Sequence, residues 1–388
     1  MAAYAHRRYP FNWAVEISVS SDSFHRYPFY SPRFWHGMRP AGWWALLRQG
    51  GFKIHPTRLP MAFAITFATL VNSGLAAIQF LLYSHKLAKA ELHTPPVFII
   101  GHWRSGTTLL HELLVLDARL SSPSTFQCFA PHHFLISEWF FRIFCRWLLP
   151  SQRPMDNMAA GWDRPQEDEF ALVNLGLPSP YRRIAFPNCP PPDLEYLDTE
   201  TLPAPERTAW TVILERFLRC VSYRTSRPLV VKSPTHTGRI ATLAKAFPGA
   251  KFIHITRDPR SLFPSTVRLW KSLDEAQSLQ LPTNEALDDY VIECFRRMYE
   301  AFERDRDQVE PTHLMDVRYE DLIADPVGQL ESIYSQLKLG DFDYVRDAIG
   351  DWAQTQHREY KTNRHRLPAE DESRILDAWK SYFNRYGY

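Results

Sequence analysis

The sequence predicts an α/β domain in which short parallel strands alternate with crossover helices. Two features carry that prediction. Short apolar runs recur along the chain with helix-period segments between them, the pattern of βαβ units. Three of those runs also end in polar or basic residues, and open α/β sheets bind ligands at the carboxyl ends of their strands.

The elements follow in order. The first strand is 97–100, Val-Phe-Ile-Ile, and the loop Gly101-His102-Trp103-Arg104-Ser105-Gly106 leads from it into a helix opened by Thr107-Thr108. Leu109, Leu110, Leu113 and Leu114 give that helix an inner face. A second strand, 229–231, ends at Lys232, and a helix is predicted over 237–247 before the stop signal Pro248-Gly249. A third strand, 252–256, ends at Arg257-Asp258-Pro259 and continues into a helix through Trp270. The last strand, 314–317, runs into Arg318-Tyr319-Glu320-Asp321-Leu322.

Composition narrows the function classes. A formal charge of +2 gives no general pull toward nucleic acid, so any anion site must be built locally. Thirty Pro and fifteen Gly beside 14% aromatic residues predict ordered loops rather than disorder. The five cysteines are scattered, odd in number and without a C-x-x-C pair. They predict neither a zinc site nor a disulfide framework, and fit a reducing, cytoplasmic compartment. The first twenty residues lack an apolar core behind a basic run, so no signal peptide is expected.

Residues 1–92 read as an N-terminal accessory region and 93–388 as the α/β domain. The stretch 61–83 carries no charged residue and has the length of a bilayer span, but Thr66, Thr69, Asn72, Ser73, Gly74 and Gln79 dilute it. Upstream lie Phe24, Tyr27, Phe29, Tyr30, Arg33, Phe34, Trp35, Trp43 and Trp44, the aromatic and basic mixture that membrane interfaces favour. The expectation is a helical, aromatic-rich region making peripheral membrane contact through residues 24–83 rather than a clean span.

The chemistry begins at Gly101–x4–Gly106. A Gly-rich turn between strand and helix aims backbone N–H groups at one point, and the helix N-terminus adds positive potential, so the loop suits a phosphate or sulfate. The sheet is therefore P-loop-like. However, Thr107 stands where a nucleoside-triphosphate loop needs Lys, and the cation is Arg104 inside the loop. The string Arg104-Ser105-Gly106-Thr107-Thr108 resembles the 5′-phosphosulfate loop of the sulfotransferase superfamily. Arg257 and Ser265, eight residues apart at a strand end, resemble that superfamily's 3′-phosphate site, where Arg can fork onto two oxygens. Tyr319 resembles the residue that packs on adenine. The Leu-His-Glu-Leu helix after the loop is most similar to the large bacterial sulfotransferase family.

That resemblance implies the sulfotransferase fold. It implies 3′-phosphoadenosine 5′-phosphosulfate as co-substrate, no metal, and a hydroxyl-bearing acceptor: a lipid, a carbohydrate or a small alcohol. Arg104 and Lys232 are the expected charge stabilisers in an in-line transfer. The general base is less determined. Related families place a Glu about two dozen residues after the loop, where this chain has Gln127, which cannot serve. His133, beside His132, is then the first candidate, with Glu167 of the run Glu167-Asp168-Glu169 next. Lys361 in the basic tail is a candidate for the 3′-phosphate. Two alternatives stay open from residues alone. A P-loop kinase or NTPase would need Lys at 107 and an acidic Mg²⁺ ligand, and Asp258 is crowded by Arg257 and Arg260. A non-catalytic, membrane-associated scaffold retaining the nucleotide fold would explain Gln127.

Overall fold

The computed structural model describes residues 27–150, 160–356 and 367–388. Helices α1 (Pro40–Gln49) and α2 (Leu59–Leu87) precede strand β1 (Val97–Ile100). After β1 come α3 (Thr107–Leu114), α4 (Thr125–Phe129), α5 (Phe134–Phe144), α6 (Asp168–Asn174) and α7 (Ala204–Thr225). Then follow β2 (Val230–Lys232), α8 (Ile240–Ala246), β3 (Lys251–Thr256), α9 (Pro259–Gln277) and α10 (Leu287–Asp305). The chain closes with β4 (Leu314–Arg318), α11 (Tyr319–Ala324), α12 (Pro326–Leu337), α13 (Asp343–Gln356), α14 (Ala369–Ala378) and α15 (Lys380–Tyr386).

The strands form one sheet in the order β2-β1-β3-β4, and every pairing is parallel. Val97 pairs with Val230, Phe98 with Phe252 and Thr256 with Arg318. All four carboxyl ends therefore lie along one edge. From β1 the sheet grows first toward β2 and then toward β3, so the strand order reverses beside the end of β1, the position at which open α/β sheets bind ligands.

The α/β expectation rests on burial. Every residue of β1 is buried, as a parallel strand covered on both faces requires. Alternate residues serve opposite layers: Phe98 joins one core with Phe252 and α10, while Ile99 joins the other with Leu110, Leu113 and Tyr334. The predicted helix at 237–247 starts later. Pro234–Arg239 forms a 3-10 turn and α8 begins only at Ile240. Side-chain bonds made by Thr235, His236 and Arg239 hold that turn in place, and no local pattern announces them.

Residues from Phe34 onward pack on the same core. Trp35, Trp43, Leu46 and Ile65 share it with the strands, and the Trp35 indole N–H donates to the Gln277 carbonyl at 2.9 Å. In α2 the usual polarity is reversed. Its buried stripe includes Thr69, Asn72 and Gln79, while Phe63 and Phe67 on the other face are 72% and 69% exposed. The buried polar groups are satisfied. Asn72 donates to the carbonyls of His36 and Met38 at 2.6 and 2.8 Å, and Gln79 accepts from the Leu135 amide at 2.9 Å.

Candidate active site

The loop after β1 owes its shape to two glycines. Gly101 (φ +143°) donates its N–H to Thr237 Oγ1 at 2.8 Å, and a Cβ there would lie 2.4 Å from the Ile255 carbonyl. Gly106 (φ +107°) precedes α3, and its Cβ would meet Tyr319 Cδ2 at 2.5 Å. Between them Arg104 holds a left-handed φ of +68°, uncommon for a residue with a side chain. The Ser105 hydroxyl is fully buried and makes no hydrogen bond among the described residues, a donor fit for an anion oxygen inside the loop. Substituting Gly106→Ala is expected to displace the Tyr319 ring and the loop together. The outcome to look for is a lowered melting temperature with adenosine 3′,5′-bisphosphate affinity lost. Unchanged affinity would mean that the close approach is unimportant.

The two arginines expected at opposite ends of an adenosine donor lie on the same edge. Arg104 Nε donates to Ser265 Oγ at 3.0 Å, from the loop to α9. Arg257, at the end of β3, donates from Nη1 to the Arg104 carbonyl at 2.9 Å, and its guanidinium stands 4.3 Å over the Tyr319 ring. Arg104, the pair Arg257 and Ser265, and Tyr319 are thus drawn together from three separate stretches of chain. Arg260, three residues on, instead pairs with Glu372 at 2.9 Å and Asp258 at 3.4 Å.

Beside this cradle Lys232 is 1% exposed at the end of β2. Its ammonium donates to Glu167 Oε1 at 2.6 Å and to Thr108 Oγ1 of the loop helix at 3.4 Å. The other Glu167 oxygen accepts from the Tyr181 hydroxyl, which itself accepts from the Trp103 indole at 2.7 Å. Burial, followed by the Glu167 charge, pushes the Tyr181 phenol well above its ordinary value, so it stays a donor.

The two neighbours of Glu167 explain why it is held so firmly. Asp168 meets His236 at 2.8 Å, and Glu169 forms a forked pair with Arg239 at 2.6 and 3.0 Å, all four side chains buried. Three consecutive carboxylates at the start of α6 thus dock on Lys232, His236 and Arg239. Ser179 and Thr235 complete the shell around Glu169 at 2.5 and 2.8 Å. Burial works against the Glu169 charge, but Arg239, then His236 and the Ser179 hydrogen bond, outweigh it and hold its pKa down to about 2 from 4.5. A depressed folded-state pKa gives stability that is present above the unfolded value and lost as pH falls through the folded one. Glu169 should therefore contribute about 3 kcal/mol at neutral pH that disappears as pH drops from 4.5 toward 2. Urea unfolding across that window checks it: the Glu169→Gln variant should show a shallower pH slope, and identical slopes would refute the assignment.

The remaining described candidates make contacts of their own. His133 is buried where α5 begins, with Nε2 at 3.0 Å from Asn72 Oδ1 of α2 and Nδ1 at 2.7 Å from Ser137 Oγ. Burial lowers its pKa to about 4. His132 bonds the Asn174 carbonyl at 3.0 Å. Gln127 closes the N-terminal cap of α4 with Ser124, each side chain reaching the other's backbone N–H. Lys361 lies outside the described residues, as do Arg358, Arg364, His365 and Arg366. Tyr181, the pair Asp168 and His236, and the pair Glu169 and Arg239 are functional-site neighbours that no sequence motif marks. The matching order of three acids at 167–169 and three bases at 232, 236 and 239 was the one available signal for them.

Comparison with known proteins bears on this geometry. A model of the sulfotransferase family matches residues 95–344. The chain is 42% identical over 369 residues, 95% of each chain, to the omega-hydroxy-beta-dihydromenaquinone-9 sulfotransferase Stf3 of Mycobacterium bovis and of Mycobacterium tuberculosis. Its fold is similar to sulfotransferase STF9 from Mycobacterium avium, with a TM-score of 0.62 at 16% identity over 90% of this chain and 96% of that one. STF1 from Mycobacterium tuberculosis H37Rv gives 0.56 at 16% identity, over 91% and 94%. Family match, long-range identity and shared fold agree with the cradle at the sheet edge: the chain belongs to the sulfotransferase family and is an enzyme of sulfuryl transfer.

Proposed function

We propose that this enzyme moves the sulfuryl group of 3′-phosphoadenosine 5′-phosphosulfate onto the hydroxyl of a membrane-borne lipid, with Glu167 as general base. The observation that carries the reading is the Thr108–Lys232–Glu167 chain, which joins the anion loop to a buried carboxylate. The loop amides, the Ser105 hydroxyl and Arg104 would hold the phosphosulfate, with Thr107 and Thr108 at the helix start. Arg257 and Ser265 would grip the 3′-phosphate, and Tyr319 would flank the adenine. The new bond forms between acceptor oxygen and sulfur as the bond from sulfur to the phosphate oxygen breaks. Lys232 and Arg104 offset the charge growing on the departing phosphate. Glu167 takes the acceptor proton, oriented by Lys232 on one oxygen and Tyr181 on the other. Glu167 is preferred to His133 because each His133 ring nitrogen is taken, Nε2 by Asn72 of α2 and Nδ1 by Ser137 within α5, whereas a carboxylate oxygen that accepts one hydrogen bond keeps a second lone pair.

Two observations favour a lipid acceptor. The 42%-identical relatives are named for a hydroxylated dihydromenaquinone. The apolar outer face of α2, polar on its buried side, suits hydrocarbon better than water. A phosphate-loop kinase is disfavoured by Thr107 in place of Lys. The test is calorimetry of adenosine 3′,5′-bisphosphate against ATP–Mg²⁺, followed by transfer of labelled sulfate to hydroxylated isoprenoid lipids. Binding of ATP–Mg²⁺ but not the bisphosphate would overturn the donor, and turnover confined to water-soluble alcohols would overturn the acceptor.

A further inference from the structure

The apolar surface does not end with α2. On α5, Trp139, Ile143 and Phe144 are 56%, 63% and 57% exposed, and Trp147 just beyond it is 65% exposed. The two helices are joined, since Gln79 of α2 accepts the Leu135 amide and Asn72 meets His133. The far end of α2 touches α7 through the rings of Tyr83 and Tyr223, 6.3 Å apart. One continuous face therefore carries Phe, Leu, Ile and Trp outward, and its aromatic end matches the residues favoured at the headgroup level of a bilayer.

At that end lies a cavity of about 390 Å³ lined by Gln127, Glu138, Arg142, Arg224, Thr225 and Arg227. Its charge is lopsided: three guanidinium groups face one carboxylate. Glu138 is engaged with Arg224 at 3.8 Å and with Gln127 at 3.5 Å, and Arg142 stands 3.5 Å from the half-exposed Asp163 outside the lining. Glu138 and Arg142 occupy one flank of α5, four residues apart, while Trp139 and Ile143 sit on the adjoining flank. Along the width of one helix the surface passes from membrane-seeking aromatics to an arginine-lined recess.

We infer that this recess binds the phosphate of an anionic phospholipid headgroup when the α2–α5 face lies on a bilayer. The inference rests on the membrane reading above and adds a site and a ligand chemistry to it. Arginine forks match a phosphodiester, and a guanidinium beside aromatic rings at the interface keeps its charge at headgroup depth while the rings enter the acyl boundary. Basic pockets beside membrane-embedded helices hold anionic headgroups by the same means. The headgroup phosphate would orient the enzyme on the surface, fixing which edge of the sheet meets the lipid acceptor.

The test uses the full-length chain in flotation with vesicles of phosphatidylcholine alone and of phosphatidylcholine with phosphatidylglycerol. Wild type should bind both and prefer the second. The double variant Arg224→Gln/Arg227→Gln should lose roughly 30-fold of the phosphatidylglycerol affinity, about fivefold per charge, with phosphatidylcholine binding and the melting temperature unchanged. Arg142→Gln/Arg227→Gln should do the same, which guards against a folding defect in one pair. Glu138→Gln removes the one opposing charge in the lining and should move the preference the other way. If wild type binds both vesicles equally, or the double variants keep the preference, the headgroup site is overturned while membrane docking stands. If wild type binds neither, docking falls as well. If inorganic phosphate alone stabilises wild type but not the double variants, the recess takes a free anion and the headgroup assignment is wrong. A soluble dimer held through α2 would make the face a contact between copies and overturn the proposal too.

Discussion

Replacing Glu167 by Gln is expected to lower turnover by roughly 10²–10⁴-fold, the range a positioned general base supplies. The substitution keeps the side chain's shape but removes proton acceptance. It also removes the carboxylate charge that stands 2.6 Å from the Lys232 ammonium, which is 1% exposed. Breaking one side of a buried pair costs about 3–5 kcal/mol, so a fall in melting temperature will accompany the kinetic loss. The double variant Glu167→Gln/Lys232→Met separates the two effects. Removing both charges should recover stability, while activity stays lost because base and charge stabiliser are both gone. Near-wild-type turnover in Glu167→Gln, with loss instead in His133→Gln, would return the base to the start of α5. That result is not anticipated, because His133 is tied to Asn72 and Ser137.

Arg257→Ala is expected to weaken adenosine 3′,5′-bisphosphate binding by about 10–150-fold, the worth of one charge-assisted contact of about 1.5–3 kcal/mol. Arg260→Ala should barely move it. The two arginines are near neighbours in sequence but differ in direction: Arg257 lies across Tyr319 and touches the loop carbonyl of Arg104, while Arg260 is spent on Glu372 and Asp258 near the surface. Surface pairs of that kind contribute about 0–1 kcal/mol to stability. Arg257→Lys makes a finer probe, since it keeps the charge but loses the fork and the stacking, and should fall between wild type and Ala. Equal losses for Arg257→Ala and Arg260→Ala, measured by calorimetry, would remove the 3′-phosphate assignment.

The contrast between 257 and 260 shows what kind of information each level holds. Gly101 and Gly106 announce their turn in the sequence because the backbone there needs φ values that a Cβ would obstruct, a local requirement. The apolar strand runs are legible for a similar reason: being buried on both faces forces Val and Ile into consecutive positions. Gln127 shows the limit. Its place after the loop resembles that of a catalytic Glu, yet its side chain caps α4 with Ser124. His133 suits a base by its ordinary pKa, but it is buried, its pKa is lowered to about 4, and its ring nitrogens meet Asn72 of α2 and Ser137 of its own helix. Tyr181 carries no local signature, and neither does the docking of Glu167, Asp168 and Glu169 on Lys232, His236 and Arg239.

The α/β alternation, the two-glycine turn after β1 and the basic strand ends can all be read from the chain alone, because each follows from neighbours a few residues apart. Folding alone sets which carboxylate stands against Lys232, which arginine faces the loop, and that the apolar face of α2 points outward with its polar stripe inward. Those outcomes depend on hydrogen bonds and ion pairs between residues from 34 to 153 positions apart, where only the folded geometry sets the distance between the groups.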